Sequence, residues 1–386
     1  MKGSAMKLSR KRFLQLSGSS VLGFSLFNSL AGCGSKEAHQ KITGTGDIMI
    51  EVKTKKLNLA HTWTISRNSS DFKNNVFVKI ERNGIIGYGE AAPNVRYGED
   101  YQKTTKRINE AKKIFEQNNL FHFVDIKEEL DQTILDQSCA KAALDIALMD
   151  WIGKAFNLPL YKLWGLNIAK SPVTSYSIGI DTVEVIKQKV REAEPYPILK
   201  IKVGTDRDRE IINAVRSVTD KPIRVDANEG WKNKEEALEK IKWLKDQGVE
   251  FIEQPMPAHM LDETAWLRDK VDMPIIADEA VKTAADIPKL AKAYDGINIK
   301  LMKSGGLQEA LRMIGMAKSL GMKIMLGCMI ESSVAISAAA HLTPFVDYAD
   351  LDGNLLITND PFSGVKVDHG KFVFNNKPGL GVEGEF

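Results

Sequence analysis

Between Ile198 and Ser304 the chain reads ILKIKVG (198–204), IRVDAN (223–228), FIEQP (251–255), IIADEA (275–280) and INIKL (297–301), five short strand-like runs that each stop at a lysine or a carboxylate. From Lys202 to Asp226, Glu253, Asp278 and Lys300 the steps are 24, 27, 25 and 22 residues, about one strand, one helix and two loops, which is the period of a βα unit. SYSIGI (175–180) precedes these runs, and KIMLGC (323–328) and FVDYADLDG (345–353) follow them, reaching Cys328 and Asp352 after 28 and 24 further residues. The strands therefore number eight. In a closed parallel barrel the strand ends converge on one face, so charges distant in sequence meet in one pocket. The helices between share no letters, so the period is architectural and not a repeat of residue identity.

A chain of 386 residues with 43% hydrophobic and 27% charged content can bury a sizeable core, which excludes disorder throughout. The formal charge of +3 includes Lys2, Lys7, Arg10, Lys11 and Arg12 within residues 1–33, where there is no acid, so the remainder carries −2. No basic surface asks for nucleic acid.

The basic head, the uncharged run from Phe13 to Leu30 and the sequence Leu30-Ala31-Gly32-Cys33 read as an export signal over residues 1–33. It resembles a bacterial lipoprotein signal, in which Cys33 becomes the lipidated N-terminus. SRKRFL (9–14) resembles a twin-arginine signal with its arginine pair altered, and both that route and general secretion stay open. The expected location is exported, periplasmic or membrane-anchored, with a lipid as the only membrane contact and residues 34–46 as a polar tether. Cys139 and Cys328 remain: a disulfide between them stays open, but two cysteines make no framework for a domain this large. Cys139 sits in an apolar helix as a small buried residue, and Cys328 closes a strand, where it can line the pocket.

Ahead of the barrel, residues 47–165 suggest a smaller domain. Alternating runs at 48–60, 74–84 and 85–92, with Arg82-Asn83-Gly84 as a turn, predict an antiparallel sheet, with residues 61–70 as a polar loop carrying Arg67. YQKTTKRINEAKKIF (101–115) and SCAKAALDIALMDWIGKAF (138–156) predict two helices, the second apolar on most faces and buried between domains. Asp145 and Asp150 on it are five residues apart, share no face well, and read as packing or capping residues. The barrel is expected over 170–354, and residues 355–386, with a hairpin in KVDHGKFVFNN, fold back on the barrel or the first domain.

Asp226, Glu253 and Asp278 supply one carboxylate from each of three consecutive strands. Three hard oxygen donors without His or Cys suit Mg²⁺, or Mn²⁺, better than Zn²⁺. Lys200 and Lys202 flank Ile201 and point to one side of the second barrel strand. Buried lysines are costly unless used. Lys300 ends the sixth strand, across the barrel. An amine on each side of a metal-bound substrate can remove a proton from one face of a carbon and return one to the other, which is epimerisation or racemisation; the cation stabilises the intervening enediolate.

Lys200-Ile201-Lys202, Val225-Asp226-Ala227-Asn228, Ile252-Glu253-Gln254-Pro255, Ala277-Asp278-Glu279 and Ile299-Lys300-Leu301-Met302-Lys303-Ser304-Gly305-Gly306 resemble, as an ordered set, the enolase superfamily in its muconate-lactonising-enzyme-like branch. The resemblance implies an α/β fold: a modified TIM barrel, (β/α)7β, with an α+β capping domain built from the N-terminal region and the C-terminal tail. Asp350-Leu351-Asp352-Gly353 is similar to the element with which dipeptide epimerases hold a substrate α-ammonium group. The likeness further implies Lys202 and Lys300 as acid/base groups, with Lys303 outside the pocket. Lys200 would steady the reacting carboxylate, Arg67 would meet a glutamate side chain, and Ser177 and Cys328 would lie near the dipeptide. Glu331 stays open between a supporting and a substrate-facing role. The implied activity is Mg²⁺-dependent epimerisation of the C-terminal residue of a dipeptide, L-Ala-D/L-Glu from murein peptides in the first place. The alternatives are N-acylamino acid racemisation, o-succinylbenzoate synthesis, cycloisomerisation, or a surface binding protein without turnover. The pattern leaves room for a homo-oligomer.

Overall fold

Short alternating runs separated by amphipathic helices can bury both faces of a parallel sheet only by closing it or covering it, and here they close it. The structure, a computed structural model, describes residues 43–386; Cys33, the signal segment and most of the tether lie outside the described residues. Three antiparallel strands come first, β1 (Ile48–Ile65), β2 (Asn68–Arg82) and β3 (Ile85–Ala91). Helices α1 (Tyr101–Gln117), α2 (Phe123–Thr133), α3 (Ser138–Ala155) and the short α4 (Leu160–Leu163) follow. The barrel strands are β4 (Tyr176–Ile178), β5 (Leu199–Lys202), β6 (Ile223–Asp226), β7 (Val249–Glu253), β8 (Ile275–Ala277), β9 (Gly296–Lys300), β10 (Lys323–Gly327) and β11 (Tyr348–Asp350). They pair in sequence order, each parallel to the next. The ring closes through a parallel bridge between Thr174 and Ala349, with Ser175 N donating to Ala349 O at 3.1 Å.

Between the strands run α5 (Val183–Glu192), α6 (Asp208–Arg216), α7 (Lys234–Asp246), α8 (Leu261–Arg268), α9 (Ile287–Leu290), α10 (Leu301–Ser304) with α11 (Leu307–Ser319), and α12 (Ser333–Ala340). That is (β/α)7β, as expected from the period. The final strand has no helix of its own. The tail instead makes the hairpin β13 (Lys366–Asp368) and β14 (Lys371–Val373), and two further short strands, β12 (Phe362–Ser363) and β15 (Glu383–Gly384). Phe362 from the tail stacks on Phe77 of β2 at 5.7 Å.

Two expectations need correction. Residues 61–70 are not a polar loop: β1 continues to Ile65 and β2 begins at Asn68, leaving a two-residue turn at Ser66-Arg67 and one irregularity between Asn58 and Trp63. Trp63, Thr64 and Ile65 favour an extended chain, and the ribbon is stapled to the barrel where Ile180 N donates to Thr64 O at 2.9 Å. Helix α2 has no counterpart in the expected elements.

Helix α3 joins the cap to the barrel. It is buried nearly throughout, as its all-round apolar sequence requires. On one side it lies so close to β3 that a Cβ on Gly89 would stand 1.9 Å from Ala143 O and one on Gly87 2.2 Å from Ala147 O. On the other side Asp145 caps α11, accepting from Leu307 N at 2.5 Å and Gln308 N at 3.1 Å. Asp150 accepts from Tyr88 N and from Leu380 N, both at 2.8 Å, and from Lys154 Nζ at 2.7 Å. Both aspartates are therefore capping and packing residues.

Gly89→Ala forces a methyl into a helix carbonyl and should destabilise the fold by about 1–3 kcal/mol, the range for overpacked cores. A denaturant midpoint equal to that of the wild type would mean that α3 does not rest on β3 at this position.

Candidate active site

The strand ends place four carboxylates and three lysines in one buried cluster. Ligand oxygens of Asp226, Glu253 and Asp278 all lie within 4.8 Å of one another, and none of the three residues has more than 1% of its surface exposed. Lys202 Nζ is 2.6 Å from Asp226 Oδ2, and Lys300 Nζ is 2.7 Å from Asp278 Oδ2. The two amines thus approach the cluster from β5 and β9, which stand four places apart in the eight-stranded ring. Lys200 lies among the acids, 2.6 Å from both Asp350 Oδ2 and Glu253 Oε2 and 3.4 Å from Asp226 Oδ2.

Burying so many like charges sets their ionisation. Burial and the charge of Asp226 push the Glu253 carboxyl up to about 8. Burial also opposes ionisation of Asp278, but Lys300 and Lys303 outweigh it and hold that carboxyl well below the usual range. For Asp226, burial is likewise outweighed by Lys202 and Lys200. Glu253 Oε1 accepts from Asn298 Nδ2 at 2.7 Å, whereas Oε2 is buried without a hydrogen bond: Lys200 is near it but off the bonding direction. A carboxylate oxygen with only an off-axis lysine beside it, next to two more carboxylates and with no His or Cys in the set, fits a hard divalent cation. Asp226, Glu253 and Asp278 are the residues that would hold it.

At the far side of the cluster Asp350 Oδ1 accepts from Ser175 Oγ at 2.7 Å and from Ser177 Oγ at 3.3 Å. Burial works against its charge, but Lys200 and then Lys202 bring the carboxyl down to about 2. Asp352 is placed differently. Its Oδ2 accepts from Ser177 N at 2.5 Å, its Oδ1 faces Cys328 Sγ at 3.9 Å, and burial together with Asp350 pushes its carboxyl up to about 7. Cys328 donates to Asp350 O at 3.3 Å and stays a thiol, its pKa raised by burial and then by Asp352. Cys139 and Cys328 are both free.

These groups open into a cavity of about 640 Å³, roofed by the β1–β2 ribbon and by residues 92–102, within the range of roughly 300–1,000 Å³ typical of small-molecule sites. Arg67, Ser177, Lys200, Lys202, Asp278, Lys300, Cys328, Asp350 and Asp352 all line it. Arg67, at the ribbon tip, is tied to the barrel mouth: it donates to Asn228 O at 2.5 Å, Glu229 Oε2 at 3.1 Å and Glu279 Oε1 at 2.7 Å.

Of the supporting residues, Asn298 and the role of Gln254 have no counterpart in the sequence reading, which places Lys303 outside the pocket and leaves Glu331 open. Asn298 precedes Lys300 by two on β9, so the alternation of the strand could have pointed to it. Lys303 is not in the cavity wall, yet its Nζ lies 2.5 Å from both Asp278 O and Oδ1. Gln254 Oε1 accepts from Asp278 N at 2.9 Å and Ala280 N at 3.1 Å. Glu331 is buried behind the cavity, accepting from Met329 N at 2.7 Å, and burial with nearby Glu90 pushes its carboxyl up to about 8.

Residues 182–385 match the enolase C-terminal domain-like family, and residues 48–165 match the mandelate racemase / muconate lactonizing enzyme N-terminal domain. The chain belongs to the enolase superfamily. Among superfamily relatives it is 44% identical over 380 residues to the L-Ala-D/L-Glu epimerase of Bacteroides thetaiotaomicron, covering 97% of this chain and 98% of that one. A dipeptide epimerase from Cytophaga hutchinsonii complexed with Mg and the dipeptide D-Ala-L-Val superposes with a TM-score of 0.83 at 29% identity, covering 87% of this chain and 95% of that one. The N-succinyl Arg/Lys racemase of Bacillus cereus superposes with a TM-score of 0.83 at 33% identity and the same coverage.

Adding Mg²⁺ or Mn²⁺ to chelator-treated protein should raise its melting temperature. Saturation at about 100 times Kd corresponds to about 2.7 kcal/mol, and Glu253→Gln should remove most of the shift. A melting curve that ignores both ions would contradict the assignment of the three carboxylates.

Proposed function

We propose that this chain is a Mg²⁺-dependent dipeptide epimerase that inverts the α-carbon of the C-terminal residue by two-base proton transfer. The observation that carries this reading is Asp352: a buried carboxylate on the cavity wall that, among the described residues, has no cation within ion-pair distance and only the weak Cys328 thiol donor at its Oδ1, beside an Asp350 already satisfied by Lys200. An unpaired carboxylate in a low-dielectric wall is costly, and a free α-ammonium group supplies the missing charge. The relatives named as dipeptide epimerases support the same reaction class.

The roles follow from position. Lys202 and Lys300 flank the acid cluster, so one removes the α-proton and the other delivers a proton to the opposite face. Lys200 meets the carboxylate of the reacting residue and offsets charge as it grows. Mg²⁺, when bound, stabilises the added negative charge of the enediolate. Among dipeptides an acidic second residue is the leading choice, as in the relative named L-Ala-D/L-Glu epimerase. Residues 1–33 support an exported, lipid-anchored enzyme, which would meet peptides released from murein.

The second reading is racemisation of an N-acylated amino acid, favoured by the likeness to the N-succinyl Arg/Lys racemase. Such a substrate has no α-ammonium group for Asp352. In ²H₂O, L-Ala-L-Glu should take up label at the α-carbon of its second residue and epimerise, with kcat/KM falling as pH drops through about 7, where a protonated Asp352 offers no charge. Asp352→Asn should cost at least tenfold in kcat/KM. Label entering N-succinyl amino acids and no dipeptide would decide for the second reading.

A further inference from the structure

Six cationic side chains line the cavity: Arg67, Lys73, Arg96, Lys200, Lys202 and Lys300. Five have carboxylate partners. Lys200, Lys202 and Lys300 pair within the acid cluster. Arg67 pairs with Glu229 and Glu279, and Arg96 grips Glu229 with two nitrogens at 2.7 and 2.8 Å. Two guanidinium groups thus face two carboxylates, and that network has no charge to spare. Among the described residues Lys73 alone of these six has no acid within ion-pair distance, and burial lowers its pKa.

Its direction is fixed by the ribbon. Lys73 lies opposite Leu57 on β1, which is fully buried, and cross-strand partners project from the same face. Asn75, two residues on and so on the same face, reaches inward to Ile330 O at 3.0 Å and Glu90 Oε1 at 2.8 Å. Lys73 therefore projects from the cap toward the barrel, into the cavity roof.

We infer that Lys73 is the specificity residue that receives the side-chain carboxylate of the second residue of the substrate, and that Arg67 is a positioning residue that holds the ribbon tip on the barrel mouth. This rests on the dipeptide reading above. In that reading the α-ammonium goes to Asp352 and the α-carboxylate to Lys200 and the cation, which leaves an anionic side chain as the complement of the one uncompensated cation. A lysine is a point charge on a flexible stem, suited to a carboxylate whose position shifts between the L and D epimers.

The test compares L-Ala-L-Glu with L-Ala-L-Gln, which has the same shape without the charge. Both epimerisation and calorimetric binding in the presence of Mg²⁺ are measured for the wild type, K73M, K73R and R67M. The ratio of kcat/KM for the Glu over the Gln peptide should fall at least tenfold in K73M, mainly through KM, and should be largely retained in K73R. R67M should lower both substrates together. A ratio unchanged in K73M, or one that collapses in R67M instead, overturns the assignment. If neither peptide is turned over but the wild type binds the Glu peptide more tightly and K73M does not, the assignment stands and the catalytic reading falls. Equal binding of the two peptides by the wild type overturns the assignment.

Discussion

Three carboxylates held within 4.8 Å of each other in a buried strand-end cluster repel one another, and the surrounding structure is arranged around that repulsion. Like charges at this separation in a protein interior cost several kcal/mol unless compensated. Compensation comes from Lys202 at one end and from Lys300 and Lys303 at the other, while Lys200 bridges to Asp350. Rigid strands supply each group, so the amines cannot collapse onto one side of the cluster. The same charges that make the cluster tolerable are thus the groups able to move protons, and a divalent cation sharing those oxygens would loosen the hold on them.

The cap matters because the barrel mouth is open without it. The β1–β2 ribbon reaches over the strand ends and is fastened there by Arg67 and by the bond from Ile180 to Thr64. At its base α3 is pressed against Gly87 and Gly89 of β3 and fixed to α11 through Asp145. The C-terminal tail adds Leu380 on Asp150 and Phe362 on Phe77. At its base the roof is therefore held by interactions remote from the chemistry, and Lys73, which alone among the six described cations of the cavity lining has no acid partner, faces inward.

The barrel was legible because its period is set by geometry: five charges recurring every 22 to 27 residues, each closing a strand-like run, have the spacing of strand ends in βα units. The acid cluster and the three lysines were legible for the same reason, since each sits at such an end. What escaped had no period. Residues 61–70 look like a loop by their Ser and Asn content, and only pairing with each other and docking on Ile180 makes them strand. Lys303 lies one turn beyond its strand, where alternation no longer says which way a side chain points, and its grip on Asp278 depends on the bend at α10. Lys73 stands just ahead of the alternating run at 74–84 and drew no reading, because the absence of a partner is a property of the assembled cavity and not of its neighbours in the chain.

The most direct measurement of the central claim, amines on opposite sides of one carbon, follows label uptake from ²H₂O into L-Ala-L-Glu and L-Ala-D-Glu separately for Lys202→Ala and Lys300→Ala. Each variant should lose epimerisation yet keep slow exchange of the α-proton in one epimer only, the opposite epimer for each variant. Exchange of the same epimer by both variants would contradict the account.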